Sequence, residues 1–194
     1  RANRADRHRR AAQWIETLSP DRAEDRAELL AHHYAAALQL AKASAQDTAV
    51  LSERARLALR EAGDRALDLN AFAAAARWYQ AALELWPPDD PERPWLLFRL
   101  GQARVHAEQT GGDLLAEARD GLLAAGDREA AAEAESLLSK LGWWQGQGER
   151  ALEHARRAAE LLADAPPSRS RARVLAELSI LLMLAGKVDQ AIAQ

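Results

Sequence analysis

Arg56 to Pro88 reads RLALREAGDRALDLNAFAAAARWYQAALELWPP, and this stretch decides the fold. On both sides of Leu69-Asn70, apolar and small residues recur three or four positions apart, the spacing of one face of an α-helix. The expectation is two amphipathic helices joined by a turn at that dipeptide. The first carries Leu59-x-x-Ala62-Gly63-x-x-Ala66 and the second Ala75-x-x-x-Tyr79-x-x-Ala82. Gly63 and Ala75 have almost no side chain, so the two helix backbones can approach there, with Tyr79 and Leu83 filling the space beside them. Pro87 cannot donate a backbone hydrogen bond and is expected to end the second helix.

The same spacing returns further along. Leu97-x-x-Leu100-Gly101 lies 38 residues after the first set, Leu138-Ser139 a further 38, and Leu175-x-x-Leu178-Ser179-x-x-Leu182 a further 40. Inner turns are expected at Gly111-Gly112-Asp113, Gly146-Gln147-Gly148 and Ala185-Gly186. Ala151-x-x-x-Ala155-x-x-Ala158 matches Ala75, Tyr79 and Ala82, and Ala191 falls at the same place again. Asp113 stands where Ala75 stands, so that second helix is expected to be shifted by a few residues. Gly126 suits a helix stop and Asp127 the next N-cap. The prolines at 87, 88, 91 and 94 in PPDDPERP are expected to hold the chain extended up to Trp95, with Trp86 and Trp95 burying that linker.

Ahead of the repeats, helices are expected over Arg1 to Leu18 and from Pro20 to Ala43, with Ser19-Pro20-Asp21 as the break. Five of the first ten residues are arginine, which reads as a solvated face or a packing surface rather than a nucleic-acid arm. The adjacent His32 and His33 point about 100° apart on a helix, a poor start for a metal site, and read as half-buried beside Tyr34. The organisation is thus a helical lead-in over 1–55 and repeats over 56–93, 94–131, 132–171 and 172–194, the last truncated. The chain begins at Arg1, not Met, and ends inside a helix candidate, so it is expected to be part of a longer polypeptide. The expected class is all-α: a right-handed α-solenoid of antiparallel helix hairpins.

Those spacings resemble the tetratricopeptide repeat, with Leu59 where that pattern prefers Trp and Ala66 where it prefers Tyr. The period is longer than the roughly 34 residues of the consensus, the excess falling in loops. HRRAAQWIETL, AELLAHHYAAA and ALREAGDRALDLNAFAAAARWYQAALEL add a narrower likeness. They resemble the helical arm that follows the nucleotide-binding core of bacterial STAND-type signalling ATPases, found in multidomain adenylate or guanylate cyclases and in maltose-regulator-type transcription activators. That resemblance implies an arm that senses a ligand or partner and controls assembly. The glycines never form G-x-x-x-x-G-K-[ST], so any ATPase or cyclase activity would lie in a different part of such a protein.

Composition narrows the classes further. Of 194 residues, 48% are hydrophobic, mostly alanine, the best helix former, and 28% are charged. The net charge of −3 creates no field that favours nucleic acid. Without cysteine there is no disulfide or thiolate chemistry, in keeping with a cytoplasmic location. No apolar run approaches the roughly 20 residues that span a bilayer, so no membrane partner is expected.

No catalytic constellation stands out: no H-E-x-x-H, no G-x-S-x-G, no carboxylate pair beside a nucleophile. The interleaved charges of Arg22, Glu24, Asp25, Arg26 and Glu28 read as a solvated helix face. The chain is therefore expected to be non-enzymatic, without cofactor or metal. A binding role fits better. In stacked helix pairs the first helix of each pair lines the concave side. With Leu59 and Ala62 in the core, Arg60, Asp64 and Leu67 turn to a groove. The same offset gives Phe98, Gln102 and Val105, then Ser136, Lys140 and Trp143, then Ala176, Ile180 and Met183. Trp143 and Trp144 are adjacent and cannot both enter one thin helix layer, so one should be partly exposed as a binding anchor. Alternatively Trp144 covers the Gly146–Gly148 turn while Trp143 packs on the next repeat. The candidate site is Arg60, Asp64, Phe98, Gln102, Lys140, Trp143, Trp144 and Ile180. It suits an amphipathic helix or extended peptide, from a separate protein or from other domains of the same polypeptide. It lacks the Lys and Asn set of a C-terminal carboxylate clamp. The alternatives are a regulatory fragment of an ATPase or nucleotide cyclase, or an oligomerisation scaffold that self-associates.

Overall fold

A computed structural model describes residues 2–18 and 23–192, and the side chains of all of these except 23–25. The Ser19-Pro20-Asp21 break, the pairing of Arg22, Glu24 and Asp25, and the last two residues lie outside that description. Among the described residues there are ten helices and no strand: α1 (Ala2–Thr17), α2 (Ala23–Lys42), α3 (Ala49–Asp68), α4 (Phe72–Leu83), α5 (Arg93–Glu108), α6 (Gly112–Ala124), α7 (Arg128–Trp144), α8 (Gly148–Leu161), α9 (Arg169–Leu184) and α10 (Val188–Ile192). They form two compact units, Arg1–Arg93 and Pro94–Gln194.

The N-terminal unit holds α1 to α4. Gly63 of α3 and Tyr79 of α4 meet at the expected place, and Leu59, Ala62, Ala66, Ala75 and Ala82 are all buried around them. Tyr79 places its ring against α3 and donates its hydroxyl to Asp64 Oδ1 at 2.7 Å. The turn is closed by Asn70, which takes a left-handed φ of 56° while the Ala71 amide donates to the Ala66 carbonyl at 2.8 Å. Asparagine tolerates that region better than most residues. The lead-in is itself a hairpin of α1 and α2, with Ala5, Ala12 and Ile15 of α1 buried.

Two expectations about the linker are corrected. The second helix ends at Leu83, four residues before Pro87. Residues 87–93 are also not extended. Asp90 N–H donates to Pro87 O at 3.3 Å, Arg93 N–H to Asp90 O at 2.9 Å, and Asp90 Oδ1 accepts Glu92 N–H at 3.0 Å. Helix α5 already starts at Arg93 and Pro94 lies in its first turn, where a missing donor costs nothing. Trp86 is buried beneath the guanidinium groups of Arg56 and Arg60, whose carbons lie 4.9 and 5.6 Å from the ring centroid.

The C-terminal unit holds α5 to α10. Here Gly101 meets Leu115, fourteen residues on, where Gly63 met Tyr79 sixteen residues on. The second helix is thus displaced by two residues, as Asp113 suggested. In the next hairpin Ser139 takes the glycine place and donates its hydroxyl to Ala151 O at 2.9 Å, tying α7 to α8. Leu152, Ala155, Leu178, Leu181 and Leu182 form one apolar cluster, and Ala132, Ala158, Leu162 and Val174 another. Asp127 caps α7 by accepting Ala130 N–H at 3.0 Å, and Ser168 caps α9 by accepting Arg171 N–H at 3.1 Å.

Candidate partner-binding face

In the C-terminal unit, residues four apart on α5, α7 and α9 line up. Gln102 and His106 come from α5, Ser136, Lys140 and Trp144 from α7, and Arg173 and Glu177 from α9. Four-residue spacing puts each set on one helix face, because four steps of about 100° nearly complete a turn. The sets meet in a chain of contacts. The His106 and Trp144 rings are edge to face at 6.5 Å. Lys140 Nζ stands 5.2 Å from the Trp144 ring centroid. Glu177 hydrogen bonds with Ser136 and feels the Lys140 charge. Arg173 Nη2 reaches back to Glu133 Oε1 of α7 at 2.6 Å, where Ser170 also donates at 3.0 Å.

Electrostatics follow from this geometry. Burial pushes the Glu177 carboxyl above the usual carboxylate range, with Lys140, Ser136 and Arg173 only partly opposing it. Burial lowers His106, and the Lys140 ammonium lowers it further. Trp144, at 41% exposure, still offers ring surface, and Ile180 on α9 is 52% exposed. The face therefore presents an aromatic plane, a cation, a half-buried carboxylate and apolar surface.

Of the eight expected site residues, two belong to the N-terminal unit and six to the C-terminal unit. Arg60 and Asp64 lie in the N-terminal unit and are engaged there. Arg60 pairs with Glu92 at 2.8 Å over Trp86, and Asp64 accepts from Tyr79. Phe98 is corrected from groove wall to core: it is 2% exposed, with the Trp95 ring edge-on at 5.6 Å. Trp95 itself is partly exposed, against the expectation that it buries the linker. Val105, Leu67 and Ser136 are buried as well. Gln102 is half-buried and Lys140 exposed on the face. Trp143 and Trp144 are both partly exposed, at 44% and 41%. Their roles are the reverse of the alternative reading: the Trp143 ring lies over the turn, 3.8 Å from a β-carbon built on Gly148, while Trp144 joins the face.

His106 and Glu177 are members of the face that sequence spacing passed over. Both sit four residues from a chosen or charged position, His106 after Gln102 and Glu177 after Arg173. Glu135 was also passed over. It is 1% exposed and joins three helices, accepting from Arg119 Nη1 of α6 at 3.0 Å and sharing a 2.6 Å hydrogen bond with His154 Nδ1 of α8. Its place three residues before Leu138, on the alanine face of α7, marked it as an acid at a core position.

Among the described residues, no set of three or more His, Asp or Glu side chains is arranged to hold a metal ion. None of the helices so described is long and apolar enough to cross a membrane. No protein-family model and no curated protein matches this sequence. Solved structures do match. BtubC (BKLC) from P. vanneervenii aligns with a TM-score of 0.64 at 12% identity, covering 98% of this chain and 86% of its own. A putative kinesin light chain from Podosopora anserina with nearly identical TPR-like repeats aligns at 0.61 and 13%, covering 98% and 89%. MamA aligns at 0.57 and 15%, covering 88% and 89%. At such identities the likeness is one of fold, and the fold is an all-α, tetratricopeptide-like α-solenoid of antiparallel helix hairpins.

Proposed function

We propose that the chain is a non-enzymatic interaction module that receives an amphipathic helix or extended peptide across α5, α7 and α9. The observation that carries this reading is Trp144. It is a large ring left partly exposed at the C-terminal end of α7, beside Lys140 and His106, with exposed Ile180 on the neighbouring helix. Partly exposed tryptophan beside polar groups is what interface anchors are made of. Repeat surfaces of this fold bind through side chains and bring no chemistry of their own.

The resemblance to signalling-ATPase arms supports a finer version, in which the module belongs to a larger bacterial, cytoplasmic signalling protein and its peptide comes from a partner or from another domain. A photoreactive residue at Ile180 tests the face directly. It should crosslink a defined partner in cells, whereas the same residue at Arg157, exposed on α8, should not. Equal crosslinking from both positions would contradict the reading.

A second reading, self-association, is favoured by the exposed Met183, Leu184 and Val188 at the α9–α10 turn. Sedimentation at rising concentration separates the two: a monomer at all concentrations removes it.

A further inference from the structure

Three imidazoles gather where α1 lies on α2. His8 of α1 and His33 of α2 bring their Nδ1 atoms to 3.0 Å, a hydrogen bond from one helix to the other. The His32 ring stands 5.4 Å from that of His33 and 6.2 Å from that of His8. His8 and His33 are half-buried, and His32 is exposed. We propose that His8 and His33 form a proton-operated latch, holding the N-terminal half of α1 on α2 while at most one is protonated and releasing it when both are.

The argument is one of hydrogen-bond inventory. A bond between two Nδ1 atoms needs a proton on one and a lone pair on the other. The neutral pair and the singly protonated pair both satisfy this. With both protonated, two N–H groups and two positive charges face each other at 3.0 Å, and the bond cannot exist.

The surroundings push the same way. Burial lowers His33, and the His8 and His32 charges lower it further. On α1, Arg4 lies one turn before His8 on the same face and adds permanent positive charge. Among the described acids, Asp6 is paired with Arg9 and Arg10, and Glu16 with Tyr34 and with Arg54 of α3. Glu28 lies one turn before His32 on α2. A histidine lowered in the folded state binds fewer protons there than in the unfolded chain. The docking it supports is therefore full above the ordinary histidine pKa of about 6.5 and is lost progressively as pH falls below it.

The other end of α1 has its own anchors. Arg26 Nη1 donates to Ile15 O at 2.8 Å, and Tyr34 donates its hydroxyl to Glu16 Oε1 at 2.6 Å. Release is thus local. It reshapes a cavity of about 260 Å³ that Ala5, Asp6 and Arg9 of α1 line together with Val50 and Leu51 of α3. An undocked half-helix frays, because so short a segment is not stable alone.

Amide exchange by NMR on the whole chain tests this, with rates corrected for pH. Between pH 7.5 and 5.0, protection at Arg9 to Ala12 should fall about tenfold or more in the wild type. His8→Asn and His33→Asn should each remove that pH step, since an amide can pair with one imidazole in either protonation state. Low protection at pH 7.5 in both variants, with the wild-type step intact, would equally assign the hold on α1 to this pair. Unchanged wild-type protection, or the same tenfold step in both variants, would overturn the latch.

Discussion

A β-carbon built on Gly63 would lie 2.6 Å from Cε1 and 3.0 Å from Cγ of Tyr79. The ring root as well as its edge is against the α3 backbone, and the hydroxyl is held by Asp64. The ring has no free rotamer to retreat into. Gly63→Ala should destabilise the N-terminal unit by about 1–3 kcal/mol and Gly63→Leu by more, through overpacking. Denaturant unfolding followed by a probe in that unit checks this, and an unchanged midpoint would remove the assigned register.

Gly101 supplies an internal control. Its built β-carbon would lie 2.7 Å from Cγ and Cδ2 of Leu115, an aliphatic side chain with other rotamers. Gly101→Ala should cost less than Gly63→Ala in the same assay. The reverse order would mean that ring rigidity does not set the cost.

Glu135 makes a prediction in both mutation and pH. Burial raises its carboxyl, but the His154 hydrogen bond and the Arg119 guanidinium outweigh that and hold it below the ordinary 4.5. The folded state thus binds this proton less well than the unfolded chain. The contribution is full above pH 4.5 and is lost as pH falls below it. Glu135→Ala should destabilise by about 3 kcal/mol at pH 7, near the low end for a broken buried pair because Arg119 and His154 can regain water. Glu135→Gln should flatten the acid limb of a stability–pH curve, and an acid limb identical to wild type would refute the assignment.

Lys140 acts on His106 through space. Lys140→Met removes one of the two causes that lower His106 and leaves burial in place. The His106 midpoint in an imidazole NMR titration should rise but stay below about 6.5. No movement would mean that the ammonium does not face α5.

Much of the hairpin architecture was legible because glycine, serine and alanine at fixed places leave few ways to pack two helices. Gly63, Gly101 and Ser139 each mark such an approach. The face was only partly legible. Counting from Leu59 placed Phe98 and Val105 in the groove, but Trp95 covers Phe98 and the line of α5 that joins the face runs through the half-buried Gln102 and His106. The choice between Trp143 and Trp144 turned on which side of α7 meets the Gly148 turn, which depends on how tightly that turn is wound. The His8–His33 and Glu135–His154 contacts join residues 25 and 19 positions apart on different helices, and no local pattern reports such meetings.

The central claim is that Trp144, on the α5–α7–α9 face, anchors a peptide. The most direct test is a tryptophan-fluorescence titration of wild type, Trp144→Ala and Trp143→Ala with the segment crosslinked at Ile180, and in parallel with ATP and cyclic nucleotides. The account predicts a saturable change with the segment, affinity weakened about 30-fold or more (about 2 kcal/mol) in Trp144→Ala, near-wild-type affinity in Trp143→Ala, and no response to nucleotide. Equal affinity in Trp144→Ala and wild type, or a saturable response to nucleotide, would contradict it.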